Sequence, residues 1–448
     1  MRDRAIKNLV RDAGVKFLRF LWCDNANVIR AKATHINYLS EYMENGFGIS
    51  VAQMAIPVMY DAVVPESGLG PVGEVRLMPD WSTLTILPFA ESHAQVLCDM
   101  VKSETSEVWE LCPRGHLRSQ TQRLAEKGIG LKASFENEFF VLRRNEAGAL
   151  TPADDTVFCA TGSMNQHRLF INDLADALNA QGVRVEAYHP ESGPGQQELT
   201  FRYTNAGQAA DQQIVYRETV RGVAIQHGLI ASFLPKIVED KAGSGCHINF
   251  SLWREDENIS GDPGQTSGIG REACAFLAGI LEHLPALAAI TIPSKTSYRR
   301  IRPHFWAGAF RAWGYQNREG AIRVKGNLKE NQATHFEYKT ADATANPYFA
   351  LGALIAAGLD GLERDLKLPE EVTMDPGFMA EGERNERGID LLPQNLGEAI
   401  DAMRKDDILQ EAMGKALAKS FIAVRQSEWE ALKGMSLEEE VSLLAERY

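Results

Sequence analysis

Apolar and polar positions alternate early in this chain. The run VKFLRFLW from Val15 is rich in β-formers, and Asp24-Asn25-Ala26-Asn27 carries turn chemistry, so Lys16 to Lys32 reads as two strands around a turn. A helix is predicted from about Ile36 to Asn45, closed by Gly46. Residues 57–75 are heavy in Gly and Pro and read as a loop, after which LMPDWSTLTILPF returns to strand. Pro113 opens a helix that runs to about Lys127 and stops at Gly128. From Ala133 onward strands alternate with helices, predicted near Met164–Gln181, Ala209–Gly228 and Arg271–Ala289. PYFALGALIAAGLDGL from Pro347 is apolar nearly all round, the mark of a buried helix. The tail from Ala399 to Tyr448 is charged and helical, with an amphipathic end.

Composition narrows the class. The chain has 448 residues, 44% apolar and 24% charged, enough for a large core in two or three domains. Its net charge of −13 argues against nucleic acid or an anionic membrane surface as a partner. The six cysteines are scattered without a CxxC pair, which points to reduced thiols in a cytoplasmic protein. MRDRAIKNLV has charge and no apolar core, so it does not read as a signal peptide. The most apolar stretch, Ala273 to Pro293, is interrupted by Glu282, His283 and Pro285 and does not read as a membrane span.

The candidate chemistry lies in separated acids. Glu136 and Glu138 in FENEFF are two apart on an aromatic strand, so both carboxylates face one cavity. Glu191 and Glu198 in PESGPGQQEL form a second group, and His247 and Glu337 can complete the set. Like charges so close need cations between them, and oxygen-rich donors with little nitrogen suit Mg²⁺ or Mn²⁺, in service of phosphoryl transfer from ATP.

MPD at Met78–Asp80, FENEFF, PGQQE, FLPK at Phe233–Lys236, GSGCHINFSLW at Gly243–Trp253, SYRRI at Ser297–Ile301, NREGAIRV at Asn317–Val324 and FEYKTADATANPY at Phe336–Tyr348 stand in one order. In these strings the chain resembles the glutamine synthetase family over nearly its whole length. The resemblance implies an α+β fold, with a β-grasp-like N-terminal domain over residues 1–110 and a catalytic domain of curved antiparallel sheet and helices over 111–448. It implies that Glu138, Glu191 and Glu198 hold a metal on the glutamate side, and that Glu136, His247 and Glu337 hold the metal that orients the ATP phosphates. Arg300 then grips the α-carboxylate of L-glutamate, with Gly243 and Lys339 also lining the substrate site. Arg318 and Arg323 contact the transferred phosphoryl group, and Asn249 and Ser251 contact the nucleotide. The product of that transfer is γ-glutamyl phosphate, and the assembly is a homo-oligomer of two stacked hexameric rings.

Two departures bear on the nitrogen donor. Ammonia-using members place an acid in an early loop and another on a flap after the SYRRI-like string; here Gly48 and Trp306 stand at those positions. Glycine frees volume and an indole offers an apolar wall and a π face, which can attract an organic cation by roughly 0.5–2 kcal/mol. The expectation is therefore a ligase joining glutamate to an organic amine (alkyl-, poly- or arylamine). An ammonia-dependent enzyme and a non-catalytic family member are the alternatives. Asp61, Glu66 and His304 are the loop groups available to deprotonate an alkylamine, while His189 and Cys246 read as structural.

Overall fold

Short-range chemistry shapes the N-terminal sheet. In the computed structural model, which describes residues 2–327 and 329–448, β1 (Phe17–Cys23) pairs antiparallel with β2 (Ile29–His35) across the expected turn. The Asp24 carboxylate closes that turn by accepting the Ala26 and Val28 N–H groups, each at 2.9 Å. A helix that local pattern did not reveal, α1 (Arg2–Asp12), precedes it. A 3₁₀ turn at Ile36–Tyr38 leads into α2 (Leu39–Asn45), within the predicted helix. β3 (Phe47–Ser50), β4 (Glu74–Pro79), β5 (Thr85–Ile86) and β6 (His93–Lys102) follow, and the sheet runs β2-β1-β6-β4-β3 with β5 on β6. The single strand expected through LMPDWSTLTILPF is corrected. Asp80 accepts the Ser82 N–H and caps a 3₁₀ turn at Trp81–Thr83, which separates β4 from β5.

Arg114 joins this sheet to the rest of the chain. It sits at the start of α3 (Pro113–Glu126), and its guanidinium pairs with Asp80 and Asp99 of the N-terminal part and with Asp211 further on, at 2.8–3.0 Å. Three carboxylates on one half-buried fork hold a tight, oriented junction.

The second sheet is built on one long strand, β7 (Gly130–Arg144), which contains FENEFF. Around it come β8 (Leu150–Pro152), α4 (Thr161–Ala180), β9 (Val185–Pro190), β10 (Gln196–Phe201), β11 (Thr204–Asn205), α5 (Ala206–Gln226), β12 (Ile230–Ser232), β13 (Cys246–Arg254) and β14 (Glu257–Asn258). After α6 (Arg271–Glu282), α7 (Leu284–Thr291) and α8 (Ser297–Arg300), the strands β15 (Phe310–Tyr315), β16 (Gly320–Asn327) and β17 (Gln332–Tyr338) complete it. The order is β15-β16-β17-β13-β7-β10-β9, antiparallel except for β15 with β16. The fold is α+β, as the sequence predicts. α9 (Pro347–Glu363) is buried from Pro347 to Gly361, as its all-round apolar pattern requires. The helical tail comprises α10 (Glu381–Glu386), α11 (Leu396–Lys405), α12 (Asp407–Met413), α13 (Lys415–Leu432) and α14 (Leu437–Leu444).

The C-terminal end packs on its own chain. Glu440 of α14 is fully buried, accepts from Thr296 and Arg299 at 2.7 Å, and also pairs with Lys295. These contacts seat the short helix that ends in Arg300.

The one helix expected over Arg271–Ala289 is two, α6 and α7, bent by 75°. His283 sits at the break with Nδ1 2.7 Å from Asp406 and Nε2 2.9 Å from Asp360, and Pro285 brings no N–H to continue the ladder. Among the described residues no single helix is long and apolar enough to cross a membrane.

Burial alone would lower the His283 pKa, but the two aspartates raise it above its ordinary value. A raised folded-state pKa gives stability that is complete below the unfolded value of about 6.5 and lost as pH rises through the folded value. His283→Gln should therefore lower the thermal midpoint more at pH 6 than at pH 9. A difference that does not change with pH would contradict a charged His283.

Candidate active site

The site is a row across the second sheet, and the strand register sets it. Glu198 of β10 lies opposite Glu138 of β7 and also opposite His189 of β9. His247 of β13 lies opposite Glu136, while Asn249 and Arg323 flank Glu337 of β17 from either side. Side chains from six neighbouring strands therefore meet on one face.

Two groups of ligand-type atoms result, each within 4.8 Å of one another: Glu136, His247 and Glu337, then His189, Glu191 and Glu198. Glu138 lies between them, 4.0 Å from His247 Nε2. Its other oxygen accepts from Gln196 Nε2 at 2.7 Å and the Gly245 N–H at 2.9 Å, which fixes its orientation. A side chain at Gly245 would start 2.5 Å from the Arg300 guanidinium, so the close approach there needs glycine.

The two groups differ in charge balance. Burial would raise Glu136 and Glu337, yet the His247 hydrogen bond and Lys325 pull Glu136 down, and Lys339 with His247 pulls Glu337 well below the usual range. Lys325 Nζ lies 3.0 Å from Glu136 and 3.4 Å from Glu337; Arg323 and Lys339 reach Glu337 at 3.0 and 3.3 Å. Among the described residues no lysine or arginine pairs with Glu191 or Glu198 of the other group. Glu198 is pushed up to about 10, first by burial and then by the charges of Glu138, Glu136 and Glu191. Burial likewise raises Glu138. The hydrogen bond to Glu191 is the main cause of the raised His189 pKa. Buried acids without counter-charge, crowded at coordination distance, are what a divalent oxygen-seeking cation fits.

The remaining predicted residues are placed as follows. Arg300 is buried with Nη2 3.3 Å from His247 Nε2, and its Nη1 has no hydrogen-bond partner, so one arm is free to receive an acceptor. The Gly243 carbonyl accepts from Gln196 Nε2 at 3.1 Å. Asn249 Oδ1 accepts from Lys325 at 3.1 Å, and Ser251 Oγ accepts from Trp253 Nε1 at 2.9 Å. Arg318 is exposed, its guanidinium 5.3 Å from the centre of the Trp306 ring, and Trp306 itself is 59% exposed.

Gly48 is on the edge strand of the N-terminal sheet, away from the ligand row in chain and sheet. The volume it was expected to free is filled: a Cβ there would lie 2.6 Å from the Glu74 carboxyl group. Asp61 is nearly fully exposed, near Arg30, and His304 pairs with Asp375. Cys246 is a buried filler that donates to Asn137, as expected.

Sequence reasoning missed His189 and Lys325. His189 was set aside as structural but belongs to the second group. The signal was available: His189 is two residues before Glu191, and Lys325 two after Arg323, the same-face spacing that picked out Glu136 and Glu138.

Residues 110–443 match the model of the glutamine synthetase catalytic domain, and residues 3–110 match that of the glutamine synthetase N-terminal domain. The chain belongs to the glutamine synthetase family. Family members are ATP-dependent ligases that use glutamate, divalent metal ions and ammonia or an amine. The chain is 37% identical over 441 residues to gamma-glutamylpolyamine synthetase GlnA3 of Streptomyces coelicolor, covering 97% of this chain and 94% of that protein. It is 34% identical over 439 residues to a glutamine synthetase of Methanocaldococcus jannaschii, covering 94% and 93%. A solved GmaS/ADP complex matches with a TM-score of 0.84 at 26% identity, covering 98% of each chain.

Repulsion in the second group gives a test. Glu198→Gln removes a buried, repelled acid, so in EDTA its thermal midpoint should rise by about a few degrees. Added Mg²⁺ or Mn²⁺ should then stabilise the variant less than the native chain. Equal stabilisation of both by cations would remove Glu198 from the ligand set.

Proposed function

We propose that this protein joins the γ-carboxylate of L-glutamate to an organic amine, at the expense of ATP and through γ-glutamyl phosphate. Trp306 carries this reading. The loop that holds it leaves the wall of the ligand row at Arg300 and returns at Gly308, whose carbonyl accepts from Thr340 beside Lys339. An indole on that loop offers an alkyl or cationic group a π face and cannot take a proton. The likeness to a polyamine-using relative supports the same reading.

Each residue then has a task. The free arm of Arg300 binds the α-carboxylate of glutamate, and Gly243 and Lys339 close around that substrate. Bound cations on the two groups would neutralise phosphate charge and align the γ-phosphoryl group. Arg323, with Lys325 as a further cation, faces the oxygens on which charge builds, and Arg318 can swing from the Trp306 face to the same group. Asn249 and Ser251 offer polar contacts to the nucleotide. Once neutral, the amine nitrogen attacks the acyl carbon, the C–O bond to phosphate breaks, and the proton lost from nitrogen leaves with the released phosphate.

We further propose residues 1–110 and 111–448 as the two domains, and an assembly of two stacked hexameric rings in which the Gly48 edge of a neighbouring copy closes the site. The Glu74 carboxylate at that edge would draw in a protonated amine. An ammonia-using enzyme is the second reading, favoured by the glutamine synthetases among the relatives.

Phosphate release with Mg-ATP and glutamate, compared across ammonia, methylamine, isopropylamine, ethanolamine, putrescine and aniline, tests the proposal. An organic amine should give the highest kcat/KM; ammonia as the best donor would overturn it.

A further inference from the structure

Trp306 is presented by a strained loop. His304 and Trp306 both have left-handed backbones, with φ of 67° and 54°, and neither is glycine. Such conformations are costly for non-glycine residues and persist only where their surroundings hold them. The loop is largely exposed, with Phe305 and Trp306 at 45% and 59%, so packing does not supply the restraint.

One buried carboxylate does. Glu319, 4% exposed, accepts the Trp306 N–H at 2.7 Å on one oxygen and the His304 N–H at 3.1 Å on the other. Its own backbone is tied in turn. Asn317 Oδ1 accepts the Glu319 and Gly320 N–H groups, and Asn317 Nδ2 donates to the carbonyls of Val372 and Met374. His304 Nδ1 lies 2.8 Å from Asp375, and its ring rests 4.6 Å from that of Phe378. Three segments, 302–306, 317–320 and 372–378, are thus stitched together, and Glu319 is the stitch that reaches the loop backbone. Next to it, Arg318 lies over the Trp306 ring.

We propose that Glu319 is a positioning residue: by accepting the His304 and Trp306 N–H groups it holds the Arg302–Gly308 loop in the shape that sets the Trp306 indole against the nitrogen donor. This rests on the reading of Trp306 as a wall of the donor pocket. Glutamine is the revealing replacement. It keeps the size of the side chain but carries one acceptor oxygen, and its amide N–H₂ would face a second donor.

The test pairs hydrogen exchange with kinetics on the full-length protein. In Glu319→Gln, exchange of the 302–308 segment should speed up by about tenfold, and KM for the nitrogen donor should rise by about tenfold. KM for ATP and for glutamate should stay within about twofold. Trp306→Ala should raise the donor KM similarly with native-like exchange at His304. Unchanged exchange in Glu319→Gln would overturn the latch, and faster exchange with an unchanged donor KM would overturn its role in donor placement. If ammonia were the best donor and its KM rose in Glu319→Gln, the latch would stand while the amine reading fell.

Discussion

Buried carboxylates repel one another, and this structure places several in one row. Glu136 and Glu138 come from β7, Glu198 from the adjoining β10 and Glu337 from β17, one strand beyond the His247 strand β13, with Glu191 just past the end of β9. An unpaired buried charge costs several kcal/mol, so such a row survives only where it serves something. On one side the chain supplies its own cations, Arg323, Lys325 and Lys339. On the other, among the described residues, His189 alone pairs with Glu191 and Glu198, which leaves a deficit that a divalent ion can fill. The rest of the architecture is the frame that holds those side chains against their repulsion.

That frame is rigid where the chemistry needs rigidity. Glu138 is tied by Gln196 and the Gly245 amide, and Arg300 ends a short helix seated by the buried Glu440. The Trp306 loop is the contrast. It is exposed and strained, and its backbone is held by the Glu319 carboxylate and the His304–Asp375 pair.

Much of this was legible in the residues. The acids of FENEFF fell out of strand alternation, and the ordered strings carried the α+β fold and the candidate ligands that the sheet brings together. What stayed hidden was long-range register. Nothing local says that Glu198 faces Glu138, or that Lys325 reaches across to Glu136 from a strand formed almost 200 residues later. Two local errors have clear causes. The 271–289 stretch reads as one helix because its apolar residues continue past Glu282, His283 and Pro285; the break at His283 is fixed by aspartates contributed by α9 and the residue before α12. Gly48 was read as empty space because the neighbour that fills it, Glu74, belongs to another strand.

The central claim is that the row holds divalent cations at two distinct places. Anomalous diffraction from crystals grown with Mn²⁺ and a non-hydrolysable ATP analogue tests it most directly. The account predicts one peak among Glu136, His247 and Glu337 and another among Glu138, Glu191 and Glu198. Well-ordered side chains at both places with no anomalous density at either would contradict it.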